Sequence, residues 1–122
     1  MRKIESPIKR WAGWIELPDY LTLPQIIAWN DAFETARQFT TERKRDETTG
    51  KIVRAVTDAP NYYHAMLRGV CPIVVKWELN GGVQFTAETF PATPIKSAQA
   101  LARWVVDAVA DLIMAEDEDP KD

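Results

Sequence analysis

Reactive side chains are sparse in this chain, which holds one histidine, His64, and one cysteine, Cys71. A nucleophilic thiol needs a base within hydrogen-bond reach. If both residues sit on one helix, their seven-residue spacing puts them two turns, or roughly 10 Å, apart. That is too far to share a proton. No Cys/His cluster has the spacing of a zinc site, so no metal and no cofactor is expected. Gly81-Gly82 lies in a turn and lacks the lysine and following helix of a phosphate-binding loop. The expectation is a protein that is not an enzyme.

The chain is instead rich in tryptophan, with five in 122 residues. Trp29 and Trp77 fall near the centres of apolar helical faces and read as core. Trp11 and Trp14 precede the first helix, and Trp104 lies beside the apolar stripe of its own helix, flanked by Ser97 and Asp111. Exposed aromatic residues are typical of protein-binding surfaces. Trp11, Trp14 and Trp104 are therefore the candidate partner-binding residues, set against the plainer reading of Trp104 as a flank residue packed on its own fold.

The elements that must position these residues follow from composition and pattern. A chain of this length forms one domain with a modest core. A net charge of −3 argues against a general nucleic-acid binder, which needs a basic face. A lone cysteine forms no internal disulfide, and a reducing, cytoplasmic compartment is expected. No stretch approaches the roughly 18 apolar residues of a membrane span. No apolar run follows the basic N-terminal residues, so no secretory signal is expected.

The organisation expected is a flexible basic N-terminus over 1–10, a globular domain over 11–115 and an acidic disordered tail over 116–122. Trp14 to Leu17 alternates as a short extended segment, which needs a strand partner inside the fold or from another chain. Thr22 and Gln25 fit a capping box, opening a helix from Thr22 to Thr40 with Ile26, Trp29, Phe33, Ala36 and Thr40 inward. The pattern then dissolves into a solvated helix end, a loop at 48–50, and either a strand or a loop over 51–56. Asp58-Ala-Pro60 caps a second helix, expected over Pro60–Leu79 with a kink at Pro72, because its apolar face continues in phase across the proline. A β-hairpin over 73–87 competes with that reading, since Asn80-Gly81 is a strong turn signal. Thr93-Pro94 starts a third helix running to Ala115, whose residues Ile95, Ala98, Leu101, Ala102, Val105, Val106, Val109, Leu112 and Ile113 share one face. The fold class expected is mainly α, three principal helices with a short N-terminal extended segment, the alternative being α+β with a hairpin at 73–87.

One stretch carries a family resemblance. Val74-Val-Lys-Trp77-Glu-Leu-Asn-Gly-Gly82, then Phe85-Thr-Ala-Glu-Thr-Phe90-Pro91, then a terminal amphipathic helix resembles the C-terminal half of phage tail assembly chaperones. The opening WAGWIELPDYLTLPQIIAWNDAF is similar to the start of phage tail-module proteins of this size. The resemblance implies a mainly helical, non-enzymatic protein made in the cytoplasm of the infected cell. Its partners would be the tape measure protein and the major tail protein of the tail tube, with neither nucleic acid nor membrane involved, and it admits a homo-oligomer. A structural virion component, such as a tail tube or connector subunit, is the alternative function.

Overall fold

A computed structural model describes residues 2–45, 52–80, 82 and 84–117. The fold mixes α and β: among the described residues three α-helices accompany a three-stranded and a two-stranded antiparallel sheet. This corrects the expectation of a mainly helical chain: two strand pairs join neighbouring segments, and a third joins β-segments some sixty residues apart.

Strand β1 (Arg2–Glu5) pairs antiparallel with β2 (Gly13–Leu17), so part of the stretch expected to be a flexible terminus is an edge strand. A single 3-10 turn over Lys9–Trp11 links them. Side chains alternate across a strand, and Ile15 and Leu17 point into the core at 0% and 1% exposure. Gly13 has φ +134°, and a Cβ there would lie 2.0 Å from the Glu78 carbonyl oxygen. Only glycine lets the neighbouring strand come this close.

Helix α1 (Leu23–Ala36) begins at the expected capping box. The Gln25 amide donates to Thr22 Oγ1, and the Thr22 amide donates to Gln25 Oε1 at 2.8 Å. Its contact face differs from the one expected. Ala32 and Ala36 are buried, Trp29 is half-buried and Phe33 is exposed, its ring stacked at 6.5 Å on Trp29. The cause lies in the next helix. A Cβ at Gly69 would meet Ala32 Cβ at 2.6 Å and the Ala28 carbonyl oxygen at 2.8 Å. Backbones this close leave room only for small residues, so the rings of α1 move to its flank.

The helix ends at Ala36 rather than Thr40. After a 3-10 turn over Arg37–Phe39, β3 (Thr40–Arg45) pairs with β4 (Ile52–Val56), Thr40 opposite Val56. β-Branched Thr40 and Thr41 fit a strand better than a helix, and the Thr57 amide and hydroxyl both donate to the Phe39 carbonyl. The loop expected at 48–50 lies outside the described residues.

Helix α2 (Ala59–Val70) starts where expected, with Asp58 Oδ1 accepting from the Asn61 amide. It does not run on to Leu79. Pro72 lacks the N–H a helix would require there, the chain makes a 3-10 turn over Cys71–Ile73, and β5 (Lys76–Leu79) then pairs with β2. The hairpin over 73–87 is not formed either, because β5 takes β2 as its partner and residues 84–90 contain no strand. Trp77 is 3% exposed, buried through strand alternation instead of a helical face.

Helix α3 (Ile95–Asp117) matches expectation closely. Of the face expected, Ala98, Leu101, Ala102, Val105, Val106, Val109 and Leu112 are buried and Ile113 is half-buried, but Ile95, in the first turn, is exposed and does not belong to it. The buried residues share one core with Met66, Leu67 and Val70 of α2 and the inner face of the β1-β2-β5 sheet. Trp77, Phe85 and Phe90 form an aromatic cluster, with centroids 5.2 to 6.4 Å apart. It fastens the segment before α3 onto β5, and Gln84 Nε2 adds a bond to the Trp77 carbonyl at 3.0 Å.

Candidate partner-binding surface

The two side chains with catalytic potential differ in setting. His64 Nε2 lies 3.6 Å from Glu88 Oε2 on an exposed surface. Cys71 is buried, and its thiol is pushed up to about 12, chiefly by burial and further by the Glu88 carboxylate. A thiol held in its neutral form is a poor nucleophile. Among the described residues no group of His, Cys, Asp and Glu is arranged to hold a metal ion, and no buried side-chain polar atom lacks a hydrogen-bond partner.

The three candidate tryptophans do not form one surface. Trp14 lies on the outer face of the sheet, opposite in direction to Ile15, with Lys3 Nζ 4.4 Å and Lys76 Nζ 5.9 Å from its ring. Around it, the register sets Lys3, Glu16 and Lys76 in one row and Glu5, Trp14 and Glu78 in the next. This is a charge checkerboard that shields the indole. Trp11 is half-buried against the core, with the Arg10 guanidinium 5.7 Å from its ring. Trp104 is half-buried on the inner side, in a groove of about 580 Å³ that runs beneath β1 between Ile4, Tyr63 and Ala108.

A second groove, of about 400 Å³, opens on the other side of Tyr63. Its floor is Leu67 of α2 with Ala98 and Ala102 of α3, and its wall is Phe90 and Pro91. It forms because α3 presents alanines where it faces α2, leaving a trough that the 87–92 segment borders. Tyr63 and Gln99 line both grooves. The Tyr63 hydroxyl is pushed above its ordinary range, first by burial, with Arg103 opposing the shift. The first groove is rimmed by charge, from Lys96, Arg103, Asp107 and Asp111, whereas the second is mainly apolar.

Sequence reasoning missed Ile4, Tyr63 and Gln99 as surface-forming residues. Ile4 sat in a stretch read as a tail. The signal was the alternation of Lys3, Ile4 and Glu5, which mirrors that of Trp14, Ile15 and Glu16. Tyr63 carries no local signal, since helical spacing places its ring without showing where the hydroxyl end emerges. No helix among the described residues is long and apolar enough to cross a membrane. No protein-family model, curated protein or solved structure matches this chain.

Proposed function

We propose that this chain is a non-catalytic binding protein of phage tail morphogenesis, acting in the host cytoplasm as a chaperone for the tape measure protein and, through it, the tail tube subunits. The observation that carries the reading is the apolar groove between α2, α3 and the 87–92 segment. Phe90 and Pro91, two residues of the resemblance to tail assembly chaperones, form its wall, and Trp77 and Phe85 of the same stretch hold that wall in place. The occupant is an amphipathic helix of the long tape measure protein, laying its apolar stripe into the trough. This does not require an all-helical chain, because two helices and one bordering segment build the groove.

Exposed Ala92 and Gln99 line this groove, so charge placed there tests the reading without touching the core. Ala92→Glu with Gln99→Glu should leave the circular dichroism spectrum unchanged and weaken capture of a tape measure fragment at least tenfold, about 1.4 kcal/mol. Undiminished capture overturns the reading. Gene order supplies a second check, since such a gene should lie between those for the major tail protein and the tape measure protein. The open edge of β1 favours a second reading, a structural virion component whose sheet continues into a neighbour. Abundant copies in purified particles, read by mass spectrometry, would select it.

A further inference from the structure

Among the described residues strand β1 is an open sheet edge, and its backbone polarity can be read from its pairing with β2. The Ser6 amide donates to the Gly13 carbonyl at 2.9 Å. In an antiparallel ladder hydrogen-bonded pairs alternate, so with Ile4 opposite Ile15 and Arg2 opposite Leu17, the even-numbered residues bond to β2. Lys3 and Glu5 therefore turn their N–H and C=O groups away from the sheet. Edges of this kind are templates for another strand.

We infer that β1 pairs antiparallel with β1 of a second copy of this chain, in the register that sets Lys3 opposite Glu5 of the second copy and Ile4 opposite its own symmetry mate. A two-fold axis perpendicular to the sheet requires an isologous contact. Because only the odd-numbered residues carry outward hydrogen-bonding groups, just three short registers are open. Centring on residue 3 sets Lys3 against Lys3. Centring on residue 5 sets Glu5 against Glu5. Both oppose like charges, which destabilises a cross-strand pair. Centring on Ile4 pairs Lys3 with Glu5 twice, and both residues exchange backbone bonds with their opposite numbers. The charges on the exposed side chains thus select one register of the three.

The inner face agrees with that choice. Ile4 points to the side of the sheet where it lines the groove with Trp104. Continuing the sheet through the axis merges the grooves of the two copies beneath the new strand pair, with Ile4 and Trp104 of each copy as its apolar lining. This gives Trp104, half-buried beside its stripe, an apolar setting at the centre of an interface. The sheet becomes six-stranded in the order β5-β2-β1-β1-β2-β5.

The test uses the full chain and needs no tail protein, so its failure leaves the chaperone reading standing. Wild-type protein should sediment as a dimer. Glu5→Lys places lysine against lysine and should sediment as a monomer, as should Lys3→Glu. An equimolar mixture of the two variants should recover a dimer, because every cross-axis pair is again opposite in sign. A wild-type monomer at the highest soluble concentration overturns the proposal, as does dimerisation of both single variants. A mixture that stays monomeric overturns the register. Lys3→Glu also sets a glutamate beside Glu16, so Ile4→Cys provides an arm that does not rely on the swapped chains folding. Mild oxidation should give a disulfide-linked dimer through position 4, while buried Cys71 stays unreacted. Absence of that cross-link overturns the pairing.

Discussion

At the scale of single residues, burial separates tryptophans that composition alone treats alike. Trp77 is 3% exposed and meets Phe85 edge-on at 5.3 Å. Trp77→Ala should therefore cost about 3–5 kcal/mol, whereas Trp14→Ala loses a surface contact to lysine and should stay within about 1 kcal/mol. Urea titrations of the two variants check the contrast. Cys71 makes a prediction in pH. Its thiol is raised in the folded chain from the ordinary 9.0 to about 12, so the folded state holds a proton that the unfolded chain releases first. The stability this contributes is fully present below pH 9 and falls as pH rises toward 12. Tyr62 and Tyr63, also raised by burial, act in the same sense above their ordinary value of 10.0. The unfolding midpoint should fall once pH passes 9, and Cys71→Ala should flatten the first part of that decline.

At the scale of elements, what could be read from the sequence was what is local. The capping box at Thr22, the Asp58 cap and the apolar face of α3 each depend on residues within a few turns of one another, and each lies where expected. Strand β5 was harder because its cause is remote. β5 exists because β2 offers it an edge some sixty residues earlier in the chain, and a helical phase that happened to continue across Pro72 concealed this. Ile4 and Tyr63 escaped notice for the same reason, since neither has a local pattern that signals a groove. Of the candidate site, Phe90 and Pro91 were marked by motif, and Trp104 by its position off the stripe. Gly69 illustrates the limit of propensity. Alanine in a helix interior is favoured over glycine by about 1 kcal/mol, yet Gly69→Ala would press a methyl onto Ala32 at 2.6 Å. Overpacking of this kind costs typically 1–3 kcal/mol, so the variant should melt at a lower temperature than wild type.

At the scale of the whole molecule, the strand order β1-β2-β5 joins the start of the described fold to a strand more than sixty residues later through one sheet. Gly13 stands opposite Leu79, and the 66 residues from one to the other (79 − 13) must be made before that pair can close. At translation rates of roughly 5–20 residues per second, this takes about 3–13 s. Throughout that interval the nascent hairpin of β1 and β2 has both edges unpaired and Ile15 and Leu17 uncovered. The growing polypeptide is then most open to pairing with other chains on the same messenger, and a limited proteolysis time course on stalled ribosomes should show β2 protected only after Leu79 has cleared the exit tunnel.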